Sequence, residues 1–558
     1  MKFWKRTAPL LMAAVMLTLS ACGSREQTED AGAPSAAAAG NPTVTIGQLS
    51  EVANLNPALQ PRTPDSNAHT LIYSYLVIPT EDLSYVGDLA TGWTVSEDGL
   101  RYVFTIRDDA LWHDGTPVTA EDVVFTFTSI VHPDYNGGAD GRMVSVTGAQ
   151  DYREGKADKV AGLYAQDEHT VVFELNTPNA AFLSNMYYTI LPKHILGDVS
   201  PGEWDKNAFN TNPVGSGKYK FVRWESGQFM EFKRNDEYYG AKPSIENVIL
   251  RFGDDTTLAA ALINGEIDIL YNMSVSELDT IDVVSGVSAY LYQSMSMYYI
   301  GLNQLNEHLG DLRVRQALSH GLDKDVIIST VYGDTAHPTD DLFPENHWSH
   351  SETVTVYEYD PAKAKSLLEE AGYTMGAGGY YEKNGSPLSL TYDLVDSTDG
   401  KQVAQMVQQY WKEIGVQMEI ITQDFSTLAF TKLFPSDENG DPRFVTADDF
   451  ACYTLGFGVE ADPDEYRDYF VTPSGPGSWN FITYSNAEVD RLFTEQLLIS
   501  DQAQREALYH NIADLMSLDI PWIPLYSKSQ VAGLSDRVQG FVADYRGINF
   551  QIEKWTLS

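Results

Sequence analysis

Cysteine is nearly absent from this 558-residue chain, which carries only Cys22 and Cys452. A disulfide framework and a thiolate zinc site are therefore excluded. Basic residues are scarce as well. There are 37 lysines and arginines against 78 aspartates and glutamates, a formal charge of −41. Gripping a phosphate backbone needs clustered lysine and arginine, so nucleic acid is excluded as a partner. Electrostatic docking on anionic lipid is excluded for the same reason. No apolar run is long enough to span a bilayer, since the longest stretch is Pro9 to Leu19. Signatures of catalysis are missing too: the chain has neither G-x-S-x-G nor H-E-x-x-H. Gly215-Ser-Gly-Lys218 lacks the first glycine and the trailing Ser or Thr of a phosphate-binding loop. No enzyme, cofactor or resident metal is expected, although so many acids leave the carboxylate pair of a glycosidase open.

What is present is apolar and aromatic. Hydrophobic residues make up 43% of the chain and aromatics 12%, with 32 tyrosines. That is enough for more than one core, at roughly 150 residues per domain. At the N-terminus, Lys2, Lys5 and Arg6 precede Pro9–Leu19, and Leu19-Ser-Ala-Cys22 follows. The arrangement resembles the lipobox of a bacterial lipoprotein. It implies that residues 1–21 are a signal peptide cut before Cys22, whose thiol is lipidated. Residues 22–42, rich in Ala, Gly and Ser, read as anchor and flexible tether. Cys452 sits in an apolar run and is expected to be a buried small hydrophobe.

Along the rest of the chain the periodicity alternates between strand and helix. Tyr102, Phe104 and Ile106 share one face of a strand, and Thr119 with Asp122 predicts a capped helix start. Asp360 caps a helix with Pro361 in its first turn and Gly372 at its end. Val403, Met406, Val407, Tyr410, Trp411 and Ile414 make a helical stripe, followed by an alternating strand from Val416 to Ile420. Helix followed by strand, repeated, predicts α/β layering. Arg313 and Arg315 read as ion pairs on a helix surface. His347-Trp-Ser-His350 places two imidazoles at helical spacing, but no third ligand is near and no metal is assigned.

Tyr453-Thr-Leu-Gly-Phe-Gly-Val-Glu-Ala-Asp-Pro-Asp-Glu-Tyr466 stands out. It starts as a buried strand and opens at Gly456 and Gly458, where a guest can approach the backbone. Glu460, Asp462, Asp464 and Glu465 follow around Pro463. A strand end presenting backbone and then carboxylates suits a ligand carrying an amine. An ordinary acidic surface loop is the alternative.

Asp98-Gly99, Tyr102, Phe104, Arg107, His113-Asp-Gly115 and Val118-Thr-Ala-Glu-Asp-Val123 together resemble the signature of family 5 extracellular solute-binding proteins, the peptide, oligopeptide and nickel-binding components of ABC importers. Asn212-Pro-Val-Gly-Ser-Gly-Lys-Tyr219, Gly265-Glu-Ile-Asp268, Asp311-Leu-Arg-Val-Arg-Gln-Ala-Leu318 and Pro521-Trp-Ile-Pro-Leu-Tyr526 continue it in order. The resemblance implies an α/β, two-lobed periplasmic-binding-protein-like fold (type II, cluster C) with a hinge between lobes and an extra subdomain in the first. Residues 43–57, 211–292 and 527–558 would form the core of lobe I, 58–210 the subdomain and 293–526 lobe II. It also implies a monomer outside the cytoplasm, lipid-anchored to the outer face of the cell membrane (the periplasmic side where there are two). Such a protein hands small peptides to importer permease subunits; a nickel chelate or oligosaccharide is the alternative ligand. On the same resemblance Gly456, Phe457 and Gly458 form the strand edge that pairs with the ligand. Glu460 or Asp462 holds its ammonium, since one residue of the family pattern is missing before Asp462-Pro463. Trp479 and Asn480 are expected as neighbours, and Asp464 and Glu465 are expected to face solvent or start the next helix.

Overall fold

A computed structural model describes residues 42–558, except 60, 61 and 282. The segments expected to be signal peptide and tether, Cys22 included, lie outside those residues except for Pro42. The organising element is an eleven-stranded sheet. In chain order its strands are β1 (Thr43–Gln48), β2 (Tyr219–Glu225), β3 (Phe229–Arg234), β4 (Asn247–Phe252), β5 (Ile269–Leu270) and β6 (Val287–Leu302). Then come β7 (Ala336–Pro338), β8 (Ser389–Val395), β9 (Gln417–Gln423), β10 (Cys452–Gly458) and β11 (Trp522–Ser535). Across the sheet the order is β9-β8-β10-β6-β11-β5-β1-β4-β3-β2, with β7 beside β11.

Two long strands tie the sheet together. The first part of β6, from Val287 to Gln293, pairs with Ser529–Ser535 of β11 on the β5 side of the sheet. Its second part, Met297 to Gly301, pairs with Ser527–Trp522 and also with β10. Between Gln293 and Met297 the pairing slips, a bulge that bends the ribbon where it passes from one half to the other. The cores divide at the same place. One cluster gathers Val44, Phe104, Trp204, Phe232 and Trp555. Two others lie on opposite faces of β6 beyond the bulge, with Ile300 and Leu302 on one and Met297 and Tyr299 on the other. Alternation along a strand puts neighbours on opposite faces, so one strand feeds both cores.

Local signals produce the helices that cover this sheet. Thr119 and Asp122 form the capping box of the helix Ala120–Ser129. Asp360 accepts the Lys363 N–H at the start of Pro361–Glu370, and Gly372 takes a φ of 92° just past its end. Trp411, Val407 and Val403 of Thr398–Glu413 are buried against the sheet. A separate four-stranded sheet contains Arg101–Ile106, with Tyr102, Phe104 and Ile106 buried on one face. One reading of the arginines needs correction. Arg313 does pair with Asp311 at the surface, but Arg315 is buried. Its guanidinium donates to the Asp519 carbonyl at 2.8 and 3.0 Å and to that of Leu309 at 2.8 Å, so it closes the C-terminal end of the helix Gln502–Asp519.

Candidate ligand-binding site at a strand edge

β10 is paired along its whole length on one side, from Cys452 opposite Leu302 to Gly458 opposite Ser296. On its other side it meets β8 at only three positions, Cys452, Tyr453 and Thr454. Beyond Thr454 that edge has no strand partner among the described residues. The strand does not stop at Gly456, as the glycines suggest, but runs on to Gly458, and both glycines are exposed. A Cβ at Gly458 would meet nothing within 4 Å, whereas one at Gly456 would lie 2.7 Å from the Tyr298 ring. Phe457 turns the other way. Its ring is buried 4.5 Å from Tyr466 and 4.6 Å from Tyr469 between centroids. Only its backbone is therefore available at the edge.

The two candidate carboxylates have different surroundings. Asp462 is buried, and its oxygens accept from Arg505 Nη1 at 2.7 Å and Nη2 at 2.9 Å. It also takes the Asp464 N–H at 3.0 Å and so caps the 3-10 turn Pro463–Tyr466. Arg505 is in turn held by Gln496 and lies over the rings of Trp348 and Tyr509. Asp462 is thus an internal strut. Glu460 keeps 40% of its side chain exposed, with Arg142 Nη2 3.8 Å away and the Ser184 hydroxyl donating to it at 3.4 Å.

The backbone of Glu460 is clamped by a segment that the sequence offered only as a metal site. His347 Nε2 donates to the Glu460 carbonyl at 3.1 Å, and Trp348 Nε1 donates to that of Ala461 at 3.0 Å. Burial pushes the His347 imidazole down to about 4, which keeps it neutral, with Nδ1 left to accept from Ser349. Nothing in the local sequence marks this pairing, because its partners lie more than a hundred residues apart. Of the two expectations for Asp464 and Glu465, the start of a helix holds, since both lie in the 3-10 turn Pro463–Tyr466, while full solvent exposure does not, since both are half-buried. Glu465 Oε1 accepts the Glu460 N–H at 2.6 Å, and burial, then the charge of Glu460, raise its carboxyl well above the usual range. Burial pushes Asp464 up to about 6, with Arg467 opposing the rise.

Tyrosines surround Glu460. The phenols of Tyr85, Tyr187 and Tyr545 are raised first by burial, and the negative charge of Glu460 adds to each. Tyr187 stacks on Tyr75 with centroids 4.8 Å apart. Trp479 is 48% exposed and sits edge-on to Phe434, so it remains free to meet a ligand. Asn480 is buried and staples its own loop, donating to the carbonyls of Val471 and Tyr484 at 2.9 Å. Among the described residues no three His, Cys, Asp or Glu side chains are placed to hold a metal ion, and no helix is long and apolar enough to cross a membrane.

Residues 84–478 match the family of bacterial extracellular solute-binding proteins, family 5 (Middle). The chain belongs to this family. Among its family 5 relatives, the oligopeptide-binding protein AppA of Bacillus subtilis is 27% identical over 99% of both chains. The dipeptide-binding protein of Escherichia coli is 25% identical over 82% of this chain and 84% of its own. In three dimensions, the Bacillus AppA complex with a nonapeptide superposes with a TM-score of 0.75 at 26% identity, covering 92% of this chain and 99% of that one. A Listeria monocytogenes ABC transporter substrate-binding protein gives 0.79 at 27%, covering 93% and 99%. NikZ of Campylobacter jejuni, in complex with Ni(L-His), gives 0.75 at 26%, covering 92% and 99%. The family 5 fold, mixed α/β and of the type II periplasmic binding class, is thereby shown.

Proposed function

We propose that this solute-binding protein captures peptides by adding them as a strand to the free edge of β10, with the ligand ammonium on Glu460. The observation that carries the reading is an edge left unpaired from Leu455 to Gly458 and ending at a half-exposed carboxylate. Backbone pairing gives affinity that is blind to sequence, and a charge-assisted hydrogen bond at one end fixes the register. Glu460 suits that role because its backbone is clamped while its carboxylate stays accessible. Asp462 does not, because Arg505 already occupies both of its oxygens. Gly458 leaves room for ligand side chains, and Trp479 offers them an apolar face.

In this reading the part of the chain from 293 to 526 is lobe II, and residues 43–57, 211–292 and 527–558 form lobe I with 58–210 as its subdomain. The bulged β6–β11 ribbon acts as the hinge. Cys22 carries the lipid that holds a monomer at the outer face of the membrane, and an ABC importer permease takes the ligand. The names of the AppA and dipeptide-binding relatives support a peptide, and the chain itself performs no catalysis. Native mass spectrometry of the purified protein tests the ligand class. Co-purifying peptides are expected; a sugar or a metal chelate as the sole ligand contradicts the reading.

A further inference from the structure

Glu460 also forms part of the wall of a cavity of about 430 Å³, between residues 138–185 and 460–468. Its ionisable lining is Arg142, Glu460, Asp464, Glu465, Arg467 and Asp468, so acids outnumber bases by two. The two arginines are already committed. Arg467 lies 3.4 Å from Asp464 and 3.3 Å from Asp468. Arg142 lies 3.8 Å from Glu460 and donates to the Ser184 carbonyl at 3.0 Å. Glu465 has no ion pair among the described residues, and the Glu460 N–H is its one hydrogen-bond donor there. A half-buried carboxyl therefore lines an open cavity with no cation at ion-pair distance, although the Arg142 charge reaches it, and one hydrogen bond joins it to the backbone of the proposed ammonium anchor.

We propose that this cavity receives the basic side chain of the ligand's first residue, lysine or arginine, and that Glu465 is the carboxylate that meets it. The inference rests on the peptide reading above and narrows it to a class of ligand. Once an ammonium sits on Glu460, a second ligand cation finds in Glu465 a carboxyl with no ion pair of its own. A neutral side chain would leave that carboxyl unpaired, and an acidic one would face Glu460, Asp464, Glu465 and Asp468 together. The pairing also moves a proton. Burial and Glu460 favour the protonated Glu465 carboxyl. As the ligand cation enters, the O–H bond breaks, the proton passes to the buffer and the carboxylate remains.

The test is isothermal titration at pH 7.5 with alanine peptides of three to six residues whose first residue is lysine, norleucine or glutamate. Lysine peptides are expected to bind at least about 10-fold more tightly than norleucine peptides of equal length, with glutamate weakest. Titrations in buffers of different ionisation enthalpy should show more proton release with lysine than with norleucine, because the ammonium on Glu460 is common to both and only lysine adds a cation at Glu465. Glu465→Gln keeps the shape and an acceptor for the Glu460 N–H, and should abolish both the preference and the extra proton release. Asp468→Asn, at an exposed position, should weaken the preference even if the Glu465 variant folds poorly. Equal binding of lysine and norleucine peptides, or a preference for glutamate, overturns this inference alone. Failure of every peptide to bind overturns the peptide reading and this inference together.

Discussion

Replacing Asp462 by alanine separates a carboxylate that holds the fold from one that holds the ligand. The substitution deletes two hydrogen bonds, at 2.7 and 2.9 Å, from a pair whose side chains are only 7% and 6% exposed. Arg505 is left buried with one neutral acceptor, Gln496 Oε1, and two aromatic faces. Breaking a buried pair from one side costs about 3–5 kcal/mol. Glu460→Gln is the matched control. Its carboxylate is 40% exposed and its arginine is 3.8 Å away, so the loss of stability should stay below about 1 kcal/mol. Its effect on binding is the reverse, because losing a hydrogen bond to a ligand charge is worth about 1.5–3 kcal/mol, or roughly 10- to 150-fold in affinity. Urea unfolding followed by tryptophan fluorescence, with peptide titration of the folded variants, measures both quantities. The reasoning is refuted if Asp462→Ala leaves stability within about 1 kcal/mol of the parent, or if it weakens binding more than Glu460→Gln does.

Three further outcomes follow from the same geometry. Gly458→Val fills open space at the strand edge, so the melting temperature should hardly change while peptide affinity falls at least about 10-fold by titration. Burial raises the Asp393 carboxyl from 3.8 to about 6, so the native state keeps a proton that the unfolded chain sheds, and stability falls as pH rises from about 4 to 6. Asp393→Asn removes that slope. Between pH 4 and pH 7.5 the variant should gain about 2.5 kcal/mol on the parent in urea unfolding, and parallel profiles would contradict the assignment. Cys452 is fully buried and burial raises its thiol, so a thiol reagent should leave it unmodified in the native protein and label it fully in denaturant.

The fold was readable in the sequence wherever a local rule sets the structure. Thr119–Asp122, Asp360-Pro361 and the Val403–Ile414 stripe each fix a helix through neighbours a few residues apart, and the helices stand where those signals put them. The site was readable only in outline. Gly456, Gly458 and the acids after them pointed to a strand end whose edge is open beyond Thr454, but composition does not separate Glu460 from Asp462. The difference is made by Arg505, which comes 43 residues later on another helix. On the family resemblance Phe457 was expected to offer its backbone at the strand edge and Asn480 to stand beside the ligand. Strand alternation turns the Phe457 ring inward, and loop carbonyls claim the Asn480 amide. His347 and Trp348 were missed for a similar reason: their role depends on a contact across more than a hundred residues.

Glu460 is the proposed holder of the ligand ammonium at the end of the β10 edge. The most direct test of that role compares one peptide with its N-acetylated form, titrated against the parent protein and Glu460→Gln. Acetylation should weaken binding to the parent at least about 10-fold and make little difference to the variant, because the two changes remove the same interaction. If the acetylated peptide binds the parent as tightly as the free one, Glu460 is not the anchor.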